Sequence, residues 1–160
     1  MNNKKNTGEP VDAKPAATGE TTRSEARELL MQLLYQMSMR KDFSDDVKSR
    51  FISEYLDQGS SQMAYFEELN SKIVENLDSI DNLIENSSEH WKINRIDQID
   101  LAILRLSIGE MLYVDSIPVS ASINEAVELA KKYGGANSSK FINGILGNIA
   151  RGNDGPGSKV

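Results

Sequence analysis

Apolar residues recur at helical spacing from about residue 23 to residue 151, and no alternating stretch is bounded by hairpin turn residues, so the pattern predicts an all-α fold. The first helix spans about Ser24 to Arg40, with Ala26, Leu30, Leu33, Leu34 and Met37 on one stripe. A second starts near Ser44, has Asp45 and Asp46 in its dipole-favourable first turn, and carries Val47, Phe51, Ile52 and Tyr55 towards a break at Gly59. The stripe Met63, Phe66, Leu69, Ile73, Leu77, Ile80 and Ile84 then predicts two helices bent near Asp78. After the polar stretch 86–89, Asp97 is an N-cap with Asp100 three residues on, and the run from Ile99 to Leu112 is apolar nearly all round. Such a helix is buried on most sides, and its Arg105, Ser107 and Glu110 need partners there. A turn at 115–118 leads to a helix bearing Ile123, Ala126, Val127 and Ala130 that ends at Gly134 and Gly135. Asn137 or Ser138 caps the last of seven helices, with Phe141, Ile142, Ile145, Leu146 and Ile149 on its stripe. Gly144 and Gly147 in that helix suggest a close helix contact.

Residues 1–22 contain prolines and glycines but no recurrent apolar positions, and 152–160 read the same way; both are expected to be disordered tails around one folded unit at 23–151. With no cysteine and one histidine, His90, the 160-residue chain offers no thiolate zinc site, no thiol nucleophile and no histidine cluster. The glycines form neither a dinucleotide fingerprint nor a phosphate loop, so no cofactor, metal or catalytic site is expected. Asp97 and Asp100 are explained by a helix start. No run of about twenty apolar residues or signal-peptide pattern is present, which predicts a cytoplasmic protein without a membrane partner.

The net charge of −6 argues against a nucleic-acid partner until it is divided along the chain. Residues 42–114 hold six basic and fifteen acidic groups, whereas 23–41 hold four and two and 115–151 hold four and three. The first and the last two helices are therefore mildly basic. Arg23 and Arg27 lie one turn apart, and Tyr35 falls on the side of the first helix away from its apolar stripe, where a base could stack or a neighbouring helix could pack. Lys131, Lys132 and Lys140 flank the Gly134–Asn137 turn beside Phe141. They fit either a phosphate and a stacked base at a helix N-terminus or a helix C-terminus neutralised by lysines over a core phenylalanine.

Several strings together resemble the NusB family of bacterial antitermination factors. They are Ala26-Arg27-Glu28 leading into Leu33-Leu34-Tyr35-Gln36, Ile99 to Leu106 with Glu110 and Tyr113, and above all Ser122 to Gly134 followed by Ser138 to Leu146. The resemblance spans about 23–151 and implies two small helical bundles packed side by side, related to the RNA-binding domain of some ribosomal RNA methyltransferases. It further implies a partner, ribosomal protein NusE, and a ligand, the boxA RNA of ribosomal leader transcripts, within the RNA polymerase antitermination complex. Carried over by position, RNA-binding residues fall on Arg23, Arg27, Tyr35, Lys132, Asn137, Ser138, Lys140 and Phe141, and the NusE surface on Asp100, Leu101 and Arg105.

Two departures matter. Ser24 and Glu25 interrupt the family's basic opening, which lowers the salt dependence of binding by about one to two units if two phosphate contacts are lost. Asn137 stands where relatives often have an acid, which removes a negative charge near the RNA. The expectation is a non-enzymatic factor that binds RNA well only with NusE, as monomer or homodimer. The alternative is a helical protein-interaction adaptor with little RNA binding of its own. A methyltransferase is disfavoured, because no glycine-rich methyl-donor site is present.

Overall fold

The computed structural model describes residues 19–152, apart from Gln58 and His90. Seven α-helices follow one another: α1 (Gly19–Arg40), α2 (Asp45–Tyr55), α3 (Ser61–Glu75), α4 (Leu77–Ser87), α5 (Gln98–Tyr113), α6 (Val119–Tyr133) and α7 (Ser138–Ala150), with a short 3-10 turn at Ile93–Arg95 before α5. No strand occurs among the described residues. Helix α5 touches α1, α3, α4, α6 and α7, so two small packed bundles share it as a common strut.

The local signals that set the helix ends are visible. The Asp97 carboxylate accepts from the backbone N–H groups of Ile99 and Asp100, closing the start of α5. Ser60 does the same for α3 through Met63. The chain bends between α3 and α4 at Asn76, two residues before the expected Asp78. Helix α2 stops at Tyr55, ahead of Gly59, because Leu56 turns into extended backbone and is buried. Helix α1 starts at Gly19, inside the stretch expected to be a tail, and the buried Thr22 belongs to its first turns. The rest of 1–22, the segment 153–160 and His90 lie outside the described residues.

Every residue of α5 from Asp100 to Met111 is buried, in keeping with a run that is apolar nearly all round. Its Arg105, Ser107 and Glu110 side chains find partners there. Arg105 donates two parallel bonds to Asp81 of α4, at 2.9 Å each, and lies 5.5 Å from the Phe43 ring centroid. The Ser107 hydroxyl donates to the Ser122 carbonyl at 3.2 Å. Glu110 accepts from Arg27 Nε at 2.8 Å, from Ser122 Oγ at 2.7 Å and from the Tyr65 hydroxyl, tying α1, α3, α5 and α6 together. This burial overturns the placement of Leu101 and Arg105 on a protein-partner surface: they are 1% and 5% exposed, and the guanidinium is already engaged by Asp81. Asp100, 8% exposed, faces α7 rather than open solvent.

The expected close contact at Gly144 and Gly147 is also absent. A Cβ at Gly144 would meet nothing within 4 Å, and one at Gly147 would meet only the mobile end of Arg151 at 3.4 Å. The tight approach is at Gly109 of α5, where a Cβ would overlap the Ile73 side chain of α3. Gly134 has the same role beside Ser138, where a Cβ would fall 2.5 Å from the serine Cβ.

Candidate nucleic-acid interface

The turn from α6 into α7 organises the site. Gly134 allows the chain to fold back on itself, the Gly135 N–H donates to Ser138 Oγ at 2.9 Å, and α7 begins at once. Asn137 is left exposed at the N-cap without a side-chain bond to the helix. Lys140 is exposed one residue before Phe141, which is only half-buried because its ring lies at the edge of the core. Ser138 is buried, and its hydroxyl serves the turn and the Asp100 carboxylate, so it does not face an RNA strand as expected.

Trp91 joins this group. It is half exposed on the connector between α4 and α5 and meets Phe141 edge-on, with ring centroids 6.4 Å apart and planes at 70°. A cavity of about 710 Å³ is bordered by Trp91, Asn137, Lys140, Phe141, Gly144, Asn148 and Arg151. A neighbouring cavity of about 470 Å³ is bordered by Trp91, Phe141, Arg95, Asp97, Asp100 and Gly135. Between α6 and α7, Lys131 and Lys140 share a third groove with Asn124, Ser139 and Asn143. Aromatic faces, amides and cations at one cleft are the groups that stack bases and hold phosphates. Sequence reasoning missed Trp91, Arg95 and Arg151 as members; the available signal was a tryptophan in a polar connector, and only the fold brings it to Phe141.

The α1 side is different. Arg27 is 1% exposed: besides Glu110, its Nη1 lies 3.5 Å from Glu125 of α6. Burial lowers the affinity of the guanidinium for its proton, but Glu110, Glu125 and Tyr65 outweigh this and keep it charged. The expectation that Arg27 holds a phosphate is therefore corrected, since its charge is neutralised inside the protein. Burial and the Glu110 carboxylate also push the Tyr65 hydroxyl well above its ordinary value, so it remains a donor. Arg23 is half-buried, with its guanidinium 5.7 Å from the Tyr65 ring centroid. Lys132 is exposed but donates to Glu28 at 2.8 Å. Burial alone would raise the Glu28 carboxyl; the hydrogen bonds from Lys132 and Tyr133 prevail and hold it below its ordinary value.

Tyr35 is half-buried and packs against the core, bordering a cavity of about 300 Å³ with Met31, Phe51, Tyr55, Ile99 and Tyr133. Its ring therefore touches neighbouring helices and borders that cavity. The structure thus brings Asn137, Lys140 and Phe141 together, and places Arg23, Tyr35 and Lys132 on separate surroundings along α1 and α6.

These features define an all-α protein of two bundles joined by a buried central helix. The NusB family model matches residues 24–151, and the chain belongs to that family. It is 45% identical over 133 residues to the transcription antitermination protein NusB of Natranaerobius thermophilus, covering 81% of this chain and 94% of the relative. It is 40% identical over 130 residues to the protein of the same name from Finegoldia magna, covering again 81% and 94%. Among solved structures, T. maritima NusB superposes with a TM-score of 0.73 at 35% identity, covering 81% of this chain and 90% of the other. A structure of the antitermination factors NusB and NusE in complex with dsRNA shares the fold, with a TM-score of 0.74 at 24% identity over 82% of this chain and 97% of the other.

Proposed function

We propose that this chain is a cytoplasmic, non-enzymatic transcription antitermination factor that binds boxA RNA of ribosomal leader transcripts together with the ribosomal protein NusE. The observation that carries the RNA reading is the cleft where Phe141 and Trp91 meet beside Lys140, Asn137 and Arg151. Phe141 and Tyr35 stack on bases, and Lys140, Arg23 and Lys132 contact phosphates. Relatives 40% and 45% identical carry the antitermination name, and the fold is shared with the chain solved with NusE and dsRNA. The NusE surface draws on the exposed acidic residues Asp45, Asp46, Glu68, Glu75 and Asp78 of α2 to α4, whose charge complements a basic ribosomal protein. No described helix is long and apolar enough to cross a membrane.

Fluorescence anisotropy of labelled boxA RNA, with and without NusE, tests this reading. Binding strengthened by NusE is expected, with a loss of at least about tenfold in the folded double variant Tyr35→Ala, Phe141→Ala. Indifference of that variant overturns the stacking roles. The second reading, an adaptor with little RNA affinity of its own, is favoured by the withdrawal of Arg27 into the core and by the Glu28 pairing of Lys132. Absence of salt-sensitive RNA binding even beside NusE supports that alternative. Light scattering of the purified chain distinguishes monomer from homodimer.

A further inference from the structure

The proposal concerns the smaller of the two cavities that share the Trp91–Phe141 wall and rests on the RNA-binding reading above. Its lining includes the buried Asp100 and, beside it, the exposed Asp97 that caps α5. Asp97 closes the helix N-terminus, so Asp100 is not needed as its cap. The Oδ1 atom of Asp100 is buried without a hydrogen-bond partner among the described residues. Native proteins rarely leave a buried carboxylate oxygen without a donor, and such an atom in the lining of a cavity marks a place where a donor arrives with a ligand. Arg95 is exposed at the rim and adds a cation.

We propose that this cavity receives one unstacked guanine of single-stranded RNA, its face against the Trp91–Phe141 wall and its N1–H and N2–H donors on the Asp100 carboxylate. An ionised carboxylate only accepts hydrogen bonds, and guanine alone presents two adjacent donors on its pairing edge. Adenine and cytosine set a ring acceptor beside their amine, and the uracil N–H lies between two carbonyl oxygens that repel the carboxylate. Arg95 holds the phosphate of the same nucleotide, and Phe141 serves both this base and the adjoining Lys140 side of the cleft.

Trp91 is the single tryptophan of the chain, so its fluorescence reports occupation of this wall directly. The full chain is titrated with an oligouridylate of about ten nucleotides and with the same strand carrying one central guanosine. The guanosine strand is expected to quench Trp91 and to bind about tenfold more tightly, and a central inosine, which lacks the N2 amine, to lose most of that gain. Asp100→Asn, checked for folding by circular dichroism, is expected to reduce the preference to within about threefold. The inosine comparison uses the unaltered protein and holds even if the variant fails to fold. Equal affinity for the uridine and guanosine strands, a preference retained in Asp100→Asn, or free guanosine monophosphate binding as tightly as the strand each overturns the pocket. If boxA RNA binds with NusE while the probes are not distinguished, only the guanine pocket falls; if no RNA binds under either condition, the functional reading falls as well.

Discussion

Replacing Arg27 by alanine separates a core residue from a phosphate contact. The guanidinium is 1% exposed and donates from Nε to Glu110 at 2.8 Å. Its loss takes the Arg27 counter-charge away from Glu110, also 1% exposed, which still accepts from the hydroxyls of Ser122 and Tyr65. Breaking a buried ion pair from one side costs about 3–5 kcal/mol, a large fraction of the roughly 5–15 kcal/mol that a domain has in total. At about 2–4 °C per kcal/mol for a chain of this size, the midpoint of thermal unfolding should fall by about 6–20 °C. The same variant, assayed with boxA RNA and NusE at a temperature where it remains folded, should keep the salt dependence of the parent. A double variant Arg27→Met, Glu110→Met should recover part of the loss, because two apolar side chains of similar volume leave no buried charge. A midpoint within about 2 °C of the parent, together with a salt slope lowered by about 0.7, would show that Arg27 faces a phosphate and would refute the argument.

The glycines give opposite outcomes in the same thermal assay. Gly109→Ala should destabilise by about 1–3 kcal/mol, because the new methyl group overlaps Ile73. Gly144→Ala, with open space around it, should stabilise α7 by about 0.5–1 kcal/mol. Arg105→Lys should cost about 1–3 kcal/mol in urea unfolding, since an ammonium cannot reproduce the two parallel bonds to Asp81. Burial, reinforced by Asp97 and opposed by the Ser138 hydroxyl, raises the Asp100 carboxyl above its ordinary value. The folded state therefore takes up this proton at higher pH than the unfolded state, and the penalty of the buried charge is relieved as pH falls through the folded value. Glu28 has the opposite sign: its lowered carboxyl stabilises the fold above the ordinary range near 4.5, and that contribution is lost on acidification. Melting curves from neutral to acid pH should show a shallower acid loss for Glu28→Gln and a steeper one for Asp100→Asn, and parallel curves for all three proteins would contradict both assignments.

The helices were legible because their signals are local. The stripe on α1, the acid at the start of α5 and the Gly134–Gly135 stop each depend on residues within a turn or two of one another. Pairings between helices were not legible in the same way, and Arg27 shows why. Arg27 lies three and seven residues before Leu30 and Leu34, at helical spacing, yet the sequence reading assigned it to a phosphate. The acid that makes this tolerable is 83 positions away on α5, and only the packing of α1 on α5 shows that the buried Glu110 and the buried arginine need each other. For the same reason the glycine pair in α7 misled. Small residues at helical spacing permit a close approach without requiring one, and the approach occurs at a single glycine of α5.

The distribution of charge changes accordingly. Counting by segment credited α1 with a positive balance, yet Arg27 is neutralised internally and Lys132 of the adjoining helix is bonded to Glu28. The same count assigned Lys92 and Arg95 to the acidic middle of the chain, although both are exposed on the connector that carries Trp91 to Phe141. A phosphate responds to the charge at the contact surface rather than to a segment total. Among the described residues the cations bordering the cleft are Arg95, Lys140 and Arg151, so the proposed RNA surface is centred on the junction of the α4–α5 connector with α7 rather than on the start of α1. Glu89, Asp97 and Asp100 border the same cavities and limit the net attraction there. On the proposed function, such a surface would rely on stacking and base-edge contacts more than on bulk charge, and a basic partner that supplies further cations should raise affinity without changing the bases selected.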